Sequence, residues 1–277
     1  MQLPIAPSSH EPAAATLVRA ARRAAAILAR AIAGETGAVD GAQVFHSEAY
    51  PWAPDANGAL DVTLPAGVEP AAQVAAIDAA LPAGHAKRAW CSDEPWPAGL
   101  DRAFVDAGWS PRPRTVMILR AYREPSPTTA GLQVIPARSA YTDYRRLHEE
   151  TPVAEQPTGA SPKDWAASRI DLLDESRLDV FLGRLDRVPV GAAGVLTLGN
   201  QGVVTGMFTS PAHRRRGVAR TLLGWVIDHC RRAQFEQVLA DLPGDALGAT
   251  SLLRSLGFAT VASYVGFEKA SDREGMA

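Results

Sequence analysis

Three consecutive arginines, Arg214, Arg215 and Arg216, run straight into Gly217, Val218, Ala219, Arg220 and Thr221. An apolar run from Val203 to Phe208 precedes them, and a stretch of helical period follows. A strand, a tight turn and a helix N-terminus in that order favour an anion. The first helical N–H groups have no partner within the helix, and the helix dipole places positive charge at that end. Gly217 and the small Ala219 let backbone approach a ligand with no side chain in the way. The arginines, with His213 beside them as a turn residue or phosphate neighbour, supply counter-charge. The chemistry that fits this spacing is the holding of a diphosphate.

The elements that must position this turn can be read on both sides of it. Downstream, Ala219, Leu222, Leu223, Val226, Cys230 and Ala233 recur at helical spacing and make one apolar stripe. Val238–Leu242 reads as a short buried strand, Ala246–Leu256 as a helix closed by Gly257, and Thr260–Lys269 as a last strand. Upstream, Leu178–Leu185, Val190–Leu198 and Val203–Phe208 are separated by turn residues and predict an antiparallel meander. Before them come a strand at Leu132–Pro136 and a helix over Ala140–Glu150, with Tyr141, Tyr144, Leu147 and His148 near one face. A polar loop, Thr151–Ala160, leads to a second helix, whose start is marked by Ser161, Pro162 and the acidic Asp164.

The spacing Arg214-x-x-Gly217-x-Ala219 resembles the acyl-CoA signature, Q/R-x-x-G-x-G/A, of the Gcn5-related N-acetyltransferase (GNAT) family, and the element order over 132–270 is similar to that family's fold. The resemblance implies an α/β (α+β) protein with a mixed, mostly antiparallel sheet flanked by helices. It implies acetyl-CoA as acyl donor, cradled by Arg214, Arg215, Arg216, Gly217, Val218, Ala219, Arg220 and Thr221. Met207, Phe208 and Thr209 would meet the pantetheine arm through main chain, where their strand splays from Val238–Leu242. The acetyl group would pass to the amine of a small acceptor by direct attack, with backbone N–H groups near Met207 and Phe208 facing the oxyanion. A general base would stand at the mouth of the splay, and Asp241 and Glu150 (or its neighbour Glu149) are the candidates.

One family motif is broken. In the pattern N-x-x-A-x-x-L-Y-x-x-L-G-F, laid on Leu256-Gly257-Phe258, Ala246 stands at the Asn and Leu253 at the Tyr that protonates the departing thiolate. Ser251, Thr250, Tyr264 or a water would have to serve instead, or the thiolate leaves unaided. That departure keeps two alternatives open: a non-catalytic acyl-CoA-binding or regulatory module, and a tandem-domain synthase of the mycothiol-synthase kind.

With 277 residues the chain has room for two domains of about 130–150 residues each. The segment 123–131, rich in proline and small polar residues, is the expected linker between an N-terminal domain at 1–122 and the acetyltransferase-like domain at 132–277. The first half has no cradle of its own. Even so, Leu100–Trp109 with the strand Thr115–Ala121 parallels Ser251–Phe258 with Tyr264–Lys269, as expected of two tandem acetyltransferase-like halves, the first degenerate. Trp52, Trp90, Trp96 and Trp109 read as core and interface, and Pro12–Ala33 as an opening amphipathic helix. A net charge of −2 gives no reason to expect nucleic acid or an anionic membrane as partner. Two cysteines without metal-ligand spacing predict neither a disulfide framework nor a metal site, and fit a cytoplasmic setting. The acceptor's identity and the oligomeric state leave no mark in the sequence.

Overall fold

A computed structural model describes residues 13–91, 96–124, 128–152, 156 and 158–271. The C-terminal half opens with strand β6 (Gln133–Pro136) and helices α4 (Tyr141–Glu149) and α5 (Pro162–Asp171). The meander follows as β7 (Leu178–Leu185), β8 (Val188–Leu198) and β9 (Gln201–Thr209). Helix α6 (Val218–Arg232), strand β10 (Gln237–Pro243), helix α7 (Leu247–Ser255) and strand β11 (Phe258–Lys269) complete it. The local signals act as expected: the Ser161 side chain accepts from the Asp164 N–H to cap α5. Gly257 turns out of α7 at φ 101°, in the left-handed region.

The first half runs α1 (Ala14–Ile32), β1 (Glu35–Val39), β2 (Ala42–His46), β3 (Gly58–Val62), α2 (Pro70–Ala79), β4 (Lys87–Cys91), α3 (Leu100–Asp106) and β5 (Ser110–Leu119). Its helices and strands alternate as those of the second half do from α5 onward. The parallel pairing of β3 with β4 mirrors that of β9 with β10.

Among the described residues, all the strands form one mixed, mostly antiparallel sheet of 11 strands, in the order β1-β2-β3-β4-β11-β5-β10-β9-β8-β7-β6. The last strand of each half has crossed into the other. β5, from the first half, lies antiparallel between β10 and β11, while β11 lies antiparallel between β5 and β4. The halves on either side of 123–131 thus complete each other's sheet. Nothing in the local pattern of β5 or β11 signals this exchange, because a strand's own residues do not record which segment of the chain will lie beside it.

One face of the sheet is covered by α1, α4 and α5, whose Leu17, Ala21, Leu147 and Ile170 share a core with Val116, Leu182, Val203 and Leu239. The other face carries two separate cores, α6 and α7 over the second half and α2 and α3 over the first. Along α6 the buried stripe is Val218, Leu222, Leu223, Val226, Ile227 and Cys230. Ala219 is only half-buried and Ala233 is exposed, so the stripe begins one residue before the predicted one and ends three residues short of it, at Cys230. That offset keeps Ala219 at the surface beside the arginines. Both cysteines are buried and neither is in a disulfide, and no described helix is long and apolar enough to cross a membrane.

Candidate functional site

β9 and β10 pair in parallel from Gln201↔Gln237 to Val204↔Ala240, and the pairing stops there. Beyond it, β10 stays bound to β5 through Asp241, Leu242 and Pro243, while β9 follows β8. The two strands therefore part at the level of Thr205, which is the splay expected on sequence. The divergence has a local cause. Between Ala192 and Gly194 of β8, β9 takes one extra residue, and Gly206 adopts φ 59°. A bulge of this kind bends its strand and re-aims the residues after it, here Met207, Phe208 and Thr209. Gly191 makes the tight seat opposite possible, since a Cβ there would lie 2.7 Å from the Phe208 carbonyl oxygen.

From Thr209 the chain makes a single helical turn at Pro211–His213 and reaches α6 through Arg214, Arg215 and Arg216, all exposed. The Ser210 hydroxyl and His213 Nδ1 lie 2.8 Å apart, and Arg214 Nε donates to the Thr209 carbonyl at 3.1 Å. Arg215 at φ 62° and Gly217 at φ 84° wind the turn. Gly217 is the N-cap of α6, no side chain caps the helix, and its first turn holds no acidic residue. An uncapped, arginine-flanked N-terminus is what a diphosphate needs. Thr221 is committed elsewhere: its hydroxyl accepts from the Thr129 N–H at 3.0 Å and donates to the Gly217 carbonyl at 3.2 Å. Thr129 Oγ1 in turn donates to the Arg216 carbonyl at 2.9 Å, so Thr129 braces the turn.

Among the described residues the first half has no equivalent. β3 and β4 remain paired at Val62↔Cys91, and α2 begins with Glu69 as N-cap and Pro70 in its first turn. An acidic N-cap repels phosphate, and proline removes an N–H donor.

The candidate bases occupy different settings. Asp241 faces the α1 side and is 7% exposed at its side chain. Arg114 Nε donates to both of its carboxylate oxygens at 3.0 Å, and the Tyr264 hydroxyl donates to Oδ2 at 2.7 Å. Burial opposes the charge of Arg114, yet Asp241 holds the guanidinium above its ordinary pKa. Burial, and then the Asp241 charge, push the Tyr264 phenol upward as well. The three groups hold β10, β5 and β11 together. Glu150 is the exposed C-cap of α4. Leu253, at the missing tyrosine, is 0% exposed in the α6–α7 core. Of the loop at 151–160, residues 153–155 and 157 lie outside the described residues.

His148, which the sequence places on one face of its helix, stands in an aromatic cluster that sequence reasoning did not anticipate. Its ring centroid lies 5.4 Å from Phe208, 4.7 Å from Tyr144 and 6.1 Å from Trp165. Trp165 continues to Trp52, at 6.0 Å, in the first half. An aromatic wall therefore runs from the first half to the splayed strand. Only the unpaired chemistry of its histidine could have marked it, and that is visible once the neighbours are known.

Residues 141–258 match the family model described as the acetyltransferase (GNAT) family. No curated protein matches the chain. Among solved structures, a GCN5-related N-acetyltransferase from Kribbella flavida is similar at 17% identity, over 92% of this chain and 97% of that one, with TM-score 0.59. A functionally unknown conserved protein from Staphylococcus epidermidis aligns at 13% identity over 87% and 95%, with TM-score 0.62. A tandem GNAT protein from the clavulanic acid biosynthesis pathway aligns at 14% identity over 83% and 78%, with TM-score 0.52. At these identities the likeness is one of fold, and it extends over both halves.

Proposed function

We propose that the GNAT domain at residues 141–258 makes this chain an acetyl-CoA-dependent N-acetyltransferase acting on a small amine. The observation that carries the reading is the splay of β9 from β10 after Val204↔Ala240, leading into the uncapped N-terminus of α6. A parted pair of strands offers edge groups to the pantetheine amides, and the helix end offers N–H groups to the diphosphate. The residues present therefore fit a CoA thioester: Met207, Phe208 and Thr209 along the arm, and Arg214 to Arg220 at the phosphates. Bound there, acetyl-CoA supplies an activated acyl carbon. The chain's own part is to hold that carbon beside the bulge, to direct backbone N–H groups at its oxygen, and to keep water out with the Phe208–Trp165 wall.

The first half supports the site without a cofactor of its own. We read it as a degenerate GNAT-like unit, on the strength of its repeated topology and its closed β3–β4 pair. A non-catalytic acyl-CoA-binding module is favoured by one observation, the burial of Leu253 where a tyrosine is expected. Calorimetric titration with acetyl-CoA tests the binding reading, which requires binding in the native chain and its loss in Gly217→Glu. A panel of amines with detection of released thiol separates enzyme from binder, since the enzyme releases CoA above the rate of hydrolysis with at least one amine.

A further inference from the structure

Asp55, in the short helical turn at Pro54–Ala56 of the first half, is 52% exposed at its side chain. Burial is nevertheless the largest influence on its carboxyl, and the charges of Arg88, Arg169 and Arg114 reach it. An acid that is open to water and yet closely surrounded by protein stands on the wall of a recess. The three arginines come from β4, α5 and β5, so the recess lies between the halves, on the sheet face that α1, α4 and α5 cover. It adjoins the splay. Arg114 holds Asp241, the first residue of β10 past its pairing with β9, and the charge of Arg169 reaches His148, whose ring packs against Phe208.

The carboxylates around this recess are taken. Asp55 pairs with Arg88, Glu268 with Arg88 and Arg112, and Asp241 with Arg114. Asp171 accepts from the Tyr50 hydroxyl. Arg169 is left over: among the described residues it forms no ion pair. Its guanidinium stacks on the Trp165 ring at 4.4 Å, and Nε makes its one hydrogen bond, to the Ser168 hydroxyl at 3.4 Å. The residue is half-buried, and its two Nη groups are neither hydrogen-bonded nor sealed from solvent. Burial pulls its pKa down, and the more distant Asp55 offsets this only in part. A guanidinium keeps its charge all the same, so the recess holds a positive charge that no carboxylate of the chain answers.

Building on the acetyltransferase reading, we propose that the acceptor is a small amine that also carries a carboxylate, and that Arg169 binds this carboxylate while the amine faces the thioester beside Phe208. A planar guanidinium matches a carboxylate through two parallel N–H bonds, and the two Nη groups are the donors left over. Tyr144, Trp165 and Phe208 give the body of the molecule an aromatic lining between its two ends. An acceptor of this kind brings the missing negative charge, whereas an uncharged one would shut the guanidinium away from water without a counter-charge. In the transfer the amine lone pair forms the new N–C bond, the C–S bond breaks with its electrons kept by the CoA sulfur, and the amine proton leaves to water. Arg169 takes no part in those steps. It selects the acceptor and holds it.

The test uses the full chain, acetyl-CoA, and a panel of α-, β-, γ- and ε-amino acids, each set beside its primary amide and its phosphonate counterpart. We expect at least one acid to exceed its amide about 10-fold or more in kcat/KM. In Arg169→Gln that preference should vanish through a rise in KM for the acid, with turnover of the amide and affinity for acetyl-CoA within about threefold of the native chain. Arg169→Lys keeps the charge without the fork; it should lower the preference, and it serves if the first variant does not fold. The comparison of acid with amide in the native chain needs no variant at all. Native turnover in which amides do as well as acids overturns the proposal and leaves the transferase reading standing, and so does a preference for the phosphonates. A loss in Arg169→Gln that falls equally on acid and amide shows a structural role and also overturns it. A native chain that binds acetyl-CoA and turns over neither these amines nor uncharged ones overturns the transferase reading, and the acid-bearing acceptor falls with it.

Discussion

Lowering the pH from 7 to 5 should cost the folded protein about 2 kcal/mol through His148 alone. In the folded chain this imidazole has its pKa pushed down to about 3 and stays neutral throughout that range. In the unfolded chain it has an ordinary value of about 6.5 and takes up a proton as the pH falls. Proton uptake by the unfolded state alone means that stability drops as pH falls below about 6.5, and goes on dropping until the folded value is reached. Each pH unit in that window is worth about 1.4 kcal/mol, so the interval from about 6.5 to 5 gives about 2 kcal/mol. At 3% exposure, solvent does little to soften the effect. The window also excludes the perturbed acids. Asp55 and Asp78 are held low against burial by Arg88 and by Lys269 and Lys87, and Glu175 is held low by Arg177. All of these act below the ordinary carboxylate range, near pH 4. Urea unfolding of the native chain and of His148→Phe at pH 7 and pH 5 isolates the term. The native chain should lose about 2 kcal/mol more than the variant between the two pH values. Equal losses would show that the ring is not buried and unpaired as described.

Removing the Asp241 carboxylate as Asp241→Ala leaves Arg114 largely buried beside β10 without its counter-charge. A loss of about 3 kcal/mol in urea unfolding is expected, as for other broken buried pairs. Gly257→Ala should cost about 3 kcal/mol in thermal or urea melting, since the residue sits at φ 101° and the new Cβ would lie 1.7 Å from the Ala121 carbonyl oxygen. A fragment of residues 132–277 should show neither a cooperative melting transition nor dispersed amide resonances, because β10 lacks β5 and β11 lacks both of its neighbours.

The second half was legible because its signals are local. The Ser161 cap, the Gly257 turn, the α6 stripe and the meander each depend on residues a few positions apart, and the structure places each within a few residues. The turn at Arg214–Gly217 was legible for the same reason. What escaped depends on distance along the chain. Strand β1 is almost wholly exposed and has no apolar alternation to reveal it, and α2, rich in alanine, reads equally as helix or loop. The Arg114–Asp241 pair and the Trp52–Trp165 contact join residues more than a hundred positions apart. His148 became informative only when the groups around it were seen to leave both nitrogens unsatisfied.

The exchange of β5 and β11 has a consequence for how the protein comes into being. Synthesised from the N-terminus, β5 is finished long before either strand that will flank it. Until β10 and β11 (residues 237–269) emerge from the ribosome, the central strand of the sheet has two bare edges, and β4 has one. Bare strand edges invite pairing with other chains. β5 itself carries a safeguard: Pro111 and Pro113, with Arg112 and Arg114 between and after them, occupy its first half. Proline and positive charge both discourage edge-to-edge association. The edges that the first half must leave bare until the second is made are thus guarded by the first half's own sequence.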